Sequence, residues 1–385
     1  MHFIFSITVL AFVLIFMSDS RQFQVALSLL PHVGAKTAKL LISYCGSAEE
    51  VFSVSPSKIL KIPNVGRQIA NSIKENKTEV LHKAEKQLAI AEKQDVKILI
   101  YTDKDYPKRL LRHEDSPYIL YYKGNADLNA QKTVGIVGTR KATEYGKEMT
   151  QKIVRDLTKY NPLIVSGLAY GVDIFSHRAS LENGLDTIGV MANGLDKIYP
   201  AVHKNTAFEM IDQGGLLTEE CFGTTPDAPR FPQRNRVIAG LSDVLIVVEA
   251  AAKGGALITA HIANAYNCEV FAVPGNLNSA SSAGCNRLIR NHHAHIYTAV
   301  EDIEYILKWD LDEQNIPPIK KTTIQLTMEE QIIINKLEEV GGTMAIDNLS
   351  IKTQISLGEL AGQLLMMEMK GIVKALPGKQ FKVIS

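Results

Sequence analysis

Apolar positions along this chain change their spacing several times, and the changes mark its segments. Residues 1–16 are dominated by the apolar stretch Phe3 to Phe16. Over residues 17–96 the spacing is that of amphipathic helices, broken twice by the same turn: Leu30-Pro31-His32-Val33-Gly34 and Ile62-Pro63-Asn64-Val65-Gly66. Lys36 and Ala38 follow the first copy, Arg67 and Ala70 the second. The repeat predicts two helix-turn-helix units, with Gly supplying positive φ and the next helix presenting free amides at its N-terminus. Such turns resemble helix-hairpin-helix units, and Lys36, Lys39 and Arg67 suit phosphate contact. A packing module without DNA contact fits the pattern equally.

The period shortens after a polar helix over residues 76–96. Lys97 to Tyr101 reads as a strand, Tyr106-Pro107 and Ser116-Pro117 punctuate a loop, and Tyr118 to Tyr122 reads as a second strand. Residues 97–130 are therefore expected to extend the sheet of the next domain. Over residues 131–310, short apolar runs alternate with helical patterns, which predicts an α/β, extended Rossmann-like, doubly wound parallel sheet. The expected strands are Thr133 to Val137, Leu163 to Ser166, Thr187 to Met191, Gly215 to Thr218, Val244 to Glu249, Glu269 to Val273 and His295 to Thr298. Helices are expected near Tyr145 to Lys159, Val172 to Asn183, Thr206 to Gln213, Arg234 to Leu241, Ala256 to Tyr266 and Asn286 to Asn291. Most strands end in glycine or a small polar residue: Gly138, Gly167, Asn193-Gly194, Gly275. In a doubly wound sheet those ends form the ligand crevice.

Pro317-Pro318 and Lys320-Lys321 give residues 311–325 a linker composition. In residues 326–385, Thr327 with Glu330 and Ser356 with Glu359 predict capping boxes that open helices. Ile372-Val373-Lys374, a Pro377-Gly378 turn and Phe381 to Ile384 then predict a hairpin. Helices followed by a small hairpin suggest a winged helix. From Thr322 onward there are 6 Lys against 7 Asp or Glu, so this segment has no basic excess.

Composition narrows the function. A chain of 385 residues with 46% hydrophobic content holds two or three folded domains. A net charge of +1 excludes a protein that coats duplex DNA over its whole surface, so a nucleic-acid site must be a local patch. Cys45, Cys221, Cys268 and Cys285 show neither CxxC nor zinc spacing; buried thiols in a reducing cytosol are expected. Phe3 to Phe16 matches a signal-peptide core in length and is short for a membrane span. No Lys or Arg precedes it, no small-residue cleavage site follows it, and Ser18-Asp19-Ser20 offers a helix cap after Met17. Translation is expected to start at Met17, with no membrane partner.

The run Phe231 to Arg236 (FPQRNR) carries the most specific chemistry. An aromatic face stacks on bases, Arg234 and Arg236 suit phosphates, and the amides of the helix expected after them add positive potential. Gly138-Thr139-Arg140, a second phosphate-type turn, falls on the same sheet edge. Together they point to single-stranded nucleic acid, although a surface loop feeding a helix fits the run alone. His292, His293 and His295 face apart and read as surface residues rather than metal ligands. Asp173 and His177 stand one helical turn apart, compatible with acid/base work or with capping and packing. Glu219-Glu220 is expected to face solvent. No nucleophile has an evident base, so no catalysis, metal or cofactor is expected.

Val134 to Tyr145 (VGIVGTRKATEY), Val165 to His177 (VSGLAYGVDIFSH), Asn193 to Pro200 (NGLDKIYP), the FPQRNRVIAGLSD run, Lys253 to Ala260 (KGGALITA), Val273 to Asn276 (VPGN) and Gly284 to Arg290 (GCNRLIR) together resemble the DNA-processing protein A family, DprA or Smf. The resemblance implies a cytoplasmic homodimer that binds single-stranded DNA and loads the RecA recombinase during natural transformation. It implies DNA-binding roles for Gly138, Thr139 and Arg140, for Gly167, for Phe231, Arg234, Asn235 and Arg236, and for Lys253, Gly254 and Gly255. Many family members carry Ser in place of Gly254 or Gly255. The rival reading is a nucleotide-cleaving enzyme of the lysine-decarboxylase-like (LOG) Rossmann group. That group has Pro-Gly-Gly-x-Gly-Thr-x-x-Glu, whereas no carboxylate follows Lys253-Gly254-Gly255 at the matching distance. A nicotinamide-dependent dehydrogenase fits poorly: Gly135-x-x-Gly138 lacks the third glycine element, and Arg140 stands where a pyrophosphate would lie.

Overall fold

A computed structural model describes residues 20–309, 327–339, 343–370, 372–376 and 379–383. The apolar stretch 3–16, the expected start at Met17, the cap residues 18–19, the linker 311–325 and the Pro377-Gly378 turn lie outside the described residues. The chain divides into two compact units, Met1–Asp310 and Leu311–Ser385. No described helix is long and apolar enough to cross a membrane.

The first unit opens with helices α1 (residues 20–28), α2 (Ala35–Cys45), α3 (Ala48–Ser53), α4 (Pro56–Ile59) and α5 (Arg67–Lys93). They close over Val25, Leu41, Phe52, Ile59, Ile73 and Val80. Both repeated turns form, with a different residue in the left-handed conformation. His32 (φ 65°) and Asn64 (φ 62°) adopt it, whereas Gly34 (φ −86°) and Gly66 (φ −89°) are extended caps without a side-chain bond. Asn and His tolerate this region better than most residues, so the polar position carries the turn. Lys39 turns inward to Ser116 and Lys36 pairs with Glu114 at 3.3 Å, so the first turn packs on the sheet extension.

That extension is β1 (Lys97–Ile100) and β2 (Ile119–Gly124). The doubly wound part follows as β3 (Thr133–Val137), α6 (Glu144–Leu157), β4 (Leu163–Gly167), α7 (Val172–Glu182), β5 (Thr187–Val190), α8 (Lys204–Asp212) and β6 (Gly214–Thr218). It continues through α9 (Arg230–Leu241), β7 (Val244–Val247), α10 (Gly255–Ala265), β8 (Glu269–Ala272), α11 (Ala283–Arg290), β9 (His295–Ile296) and α12 (Val300–Leu307). The sheet order is β1-β2-β6-β5-β4-β3-β7-β8-β9, parallel from β6 to β9, with β2 antiparallel to β6. Helices cover both faces, so every residue of β3, β4 and β7 is buried, as their largely apolar runs require. Arg109 ties the extension to the core through two 2.7 Å bonds to Asp243, whose carboxylate also accepts the Thr133 amide.

The second unit has α13 (Met328–Glu338), β10 (Thr343–Ala345), α14 (Ile346–Thr353), α15 (Leu357–Met369), β11 (Val373–Leu376) and β12 (Gln380–Val383). Its sheet runs β10-β12-β11 over a core of Ile333, Leu337, Leu349, Leu360, Leu364 and Met367, a winged-helix arrangement. Thr327 and Glu330 form the reciprocal capping box; Ser356 accepts the Glu359 amide at 3.4 Å, the only half of the second box present.

Candidate nucleic-acid interface

The strand order reverses at β3: β4, β5 and β6 lie to one side and β7 to the other. The C-terminal ends of β3 and β7 therefore open an uncrossed crevice, of about 900 Å³, at the place where doubly wound sheets bind ligands. One wall is the Gly138-Thr139-Arg140 turn. Its Thr139 amide donates to the Glu249 carbonyl at 2.7 Å, joining the residues that follow β3 to those that follow β7. The buried Glu249 carboxylate accepts the Thr143 amide (2.9 Å) and hydroxyl (2.8 Å), which fixes the start of α6. Gly171 (φ 76°) lets α7 begin against this turn, since a Cβ there would overlap the Thr139 carbonyl. With its backbone held, the turn projects the exposed Arg140 side chain outward. The Arg140 guanidinium lies 5.1 Å from the centre of the Phe231 ring, and the Tyr199 ring lies 6.2 Å beyond.

Phe231 does not precede its helix. Helix α9 begins at Arg230, so the whole FPQRNR run occupies its first two turns, whereas the sequence places the start at Arg234. Pro232 sits in the first turn, where a missing N–H leaves no helical bond unmade. Helical phase then separates the two arginines assigned to phosphate. Arg234 lines the crevice but is only 6% exposed, donating to the Val190 carbonyl and to Asn235 Oδ1 (3.2 Å). It faces buried Asp173 across Gly167, where a Cβ would collide with both side chains. Gly167 thus leaves the room that this buried pair occupies. Arg236 is absent from the crevice wall and pairs with Glu219 and the Asp115 carbonyl. A neighbouring carboxylate thus already engages the charge that the sequence assigns to phosphate. Glu219 and Glu220 likewise do not simply face solvent, since they pair with Arg236 and Arg230. Burial raises the Glu219 carboxyl, and the Arg236 guanidinium opposes that rise.

Lys253-Gly254-Gly255 forms the far wall, all three exposed. The Gly284 amide donates to the Ala250 carbonyl and Arg287 to the Ala252 carbonyl, both at 2.8 Å, so α11 holds this loop. Gly254 caps α10 without a side-chain bond, leaving first-turn amides for a ligand. Asn235, nearly buried, reaches the Gly255 carbonyl at 3.5 Å and joins α9 to α10. Two exposed residues complete the wall that site assignment from sequence missed, Lys197 and Tyr199. Both lie in the Asn193 to Pro200 motif, and the Lys-x-Tyr pattern was the available signal. Four basic side chains, Arg140, Lys197, Arg234 and Lys253, thus line the crevice with two carboxylates, Asp173 and Asp227. In a chain of net charge +1, basic charge is concentrated at this crevice.

Asp173 and His177 are packing residues. Burial raises the Asp173 carboxyl, with Arg234 opposing, and it accepts the Ala169 amide at 3.3 Å. His177 is fully buried, with Nε2 2.5 Å from the Gly167 carbonyl and Nδ1 2.7 Å from the Thr187 hydroxyl. A carbonyl only accepts, so Nε2 carries the proton. His292, His293 and His295 are exposed, and no metal-type cluster occurs among the described residues. Of the cysteines only Cys285 is buried; Cys45, Cys221 and Cys268 are partly exposed, against the expectation for all four.

A doubly wound sheet with an aromatic and basic crevice at its switch point defines a Rossmann-type ligand-binding protein. The chain belongs to the DNA recombination-mediator protein A family, which it matches over residues 97–308. A helix-hairpin-helix motif matches residues 22–80 and the DprA winged helix domain residues 317–379. Protein Smf of Synechocystis is 30% identical over 95% of this chain and 100% of its own length. The X-ray structure of DNA processing protein A from Streptococcus pneumoniae is similar at TM-score 0.63 and 28% identity, covering 74% of this chain and 95% of that one. DNA processing protein A from Helicobacter pylori, described for its single-stranded DNA binding mode, is 32% identical at TM-score 0.51, covering 56% of this chain and 96% of that one.

Burial pushes the His177 imidazole down to about 4, while in the unfolded chain it titrates near its ordinary value of about 6.5. The unfolded state therefore binds more protons as pH falls, and stability is lost from about pH 6.5 down to about pH 4, by about 3 kcal/mol in total. Denaturant unfolding across that window should show the loss, and His177→Gln should lose less over the same window. Equal losses in both proteins would assign the acid lability to other groups.

Proposed function

We propose that the chain binds single-stranded DNA in the switch-point crevice, without catalysis, and as a cytoplasmic homodimer hands the strand to the RecA recombinase during natural transformation. The observation that carries this reading is the Arg140 guanidinium 5.1 Å from the Phe231 ring at the mouth of an open, basic crevice. A cation for phosphate beside an aromatic face suits a strand whose bases are unpaired, because only these present their faces for stacking. The Helicobacter pylori relative, described for single-stranded DNA binding, supports it. The recombinase role rests on the family's description as a recombination mediator. The homodimer is supported by the sheet edge at β9, where Ile296 is 47% exposed, with exposed Tyr305 on the adjoining α12.

Arg140→Ala should weaken binding to all single strands alike and flatten the dependence of log affinity on log salt by roughly 0.7. Phe231→Ala should cost about 1 to 3 kcal/mol of binding with little change in that slope, because stacking releases no ion. Phe231 is only partly buried, so its loss should lower unfolding free energy by less than the about 3 to 5 kcal/mol of a core Phe. Arg234→Ala should lower the melting temperature as well as affinity, since it leaves Asp173 buried without its counter-charge. Normal single-strand binding by the Arg140→Ala protein would refute the site. The two partner claims are checked at micromolar concentration: light scattering should give twice the monomer mass, and RecA should co-precipitate. A monomer removes the first claim and an empty precipitate the second.

A further inference from the structure

The aromatic surface does not stop at Tyr199. Beyond it the chain turns through Ala201–His203 into α8, and exposed apolar and basic groups continue along that path. Tyr170 is 51% exposed and shares a side cleft with Arg140, Tyr199 and Phe231. Its ring meets that of His203 edge-on at 5.0 Å. His203 is 3% exposed and neither ring nitrogen has a hydrogen-bond partner, so Tyr170 rests on a buried imidazole held by ring packing. The next residue, Lys204, opens α8, and its Nζ lies 5.6 Å from the centre of the Phe208 ring. Phe208 is 51% exposed, and Val202, 64% exposed, lies on the turn between Tyr199 and Lys204. Single exposed apolar residues need no explanation, but several that follow one stretch of chain away from a basic crevice do. The pairing at its outer end repeats the one at the crevice mouth: a cation beside an aromatic ring, Arg140 with Phe231 and Lys204 with Phe208.

We propose that a single strand longer than the crevice continues over Tyr199 and Tyr170 onto α8, where Phe208 stacks a base and Lys204 meets a phosphate. This extension rests on the reading of the crevice as a single-strand site. Continuity with the crevice and the basic charge of Lys204 favour nucleic acid as the occupant. Farther along α8 the balance turns acidic, since Glu182, Glu209 and Asp212 outnumber Arg178 in the hollow beside it, and the track ends there.

Strand length separates this track from the crevice. The full chain carrying Lys204→Gln and Phe208→Ala would be titrated with oligothymidylates of about 6 and about 25 nucleotides. Both side chains are at the surface, so an unchanged melting temperature is expected. Affinity for the long strand should fall about tenfold and its salt slope should flatten by roughly 0.7, while the short strand binds as before. Phe208→Trp should keep long-strand affinity at or above its original value. Equal weakening for both lengths, or none for either, overturns the track. Arg140→Ala, titrated in parallel, should weaken both lengths. Unchanged binding there overturns the crevice reading itself, a failure distinguishable from loss of the track alone.

Discussion

The site depends on one join, the pinning of the loop after β3 to the loop after β7. Strands β3 and β7 stay paired to their ends, but the chain leaves β3 for α6 on one face of the sheet and β7 for α10 on the other, which opens a gap that neither loop fills. Glu249 closes the base of that gap twice, through its carbonyl to the Thr139 amide and through its buried carboxylate to Thr143. Burying a carboxylate is costly unless it is well bonded, and two short hydrogen bonds from one residue meet that requirement. Gly138 and Gly171 supply the remaining condition, close backbone approach, since a Cβ at either would overlap its neighbours. With the turn fixed, Arg140 can be exposed and still be well placed.

A second layer of buried charge supports this wall. Arg234 bonds the end of β5 through the Val190 carbonyl and faces Asp173 of α7, with Gly167 leaving the room. The three helices and strands that carry the crevice are thereby tied to one guanidinium. Exposed Arg140, Lys197 and Lys253 provide the outward field, and Arg234 the internal frame. Basic residues thus divide between frame and contact by where they sit, Arg234 on the inner face of α9 and the other three on loops at the rim.

The sheet was legible because parallel strands buried on both faces are apolar nearly throughout, which is how β3, β4 and β7 read. The crevice edge was legible from the small residues at strand ends. The start of α9 was not, because Pro229, Pro232 and a polar run look like a loop, while proline is compatible with a first helical turn. Misplacing that start hid the phase of the helix, and with it the inward turn of Arg234 and the pairing of Arg236 with Glu219. Lys197 and Tyr199 lay in a recognised motif without a periodic pattern to show where they face. Short elements also escaped: β10 and α12 are too brief for periodicity to mark.

The most direct measurement is the affinity of the unaltered protein for an oligothymidylate and for a blunt duplex of equal length, across a series of salt concentrations. Three exposed cations at the crevice predict a single-strand slope of log affinity against log salt near −2, from roughly 0.7 per phosphate contact. They also predict weaker binding of the duplex, whose paired bases cannot reach Phe231 and Tyr199. Duplex binding as tight as single-strand binding, or single-strand affinity indifferent to salt, would contradict the account.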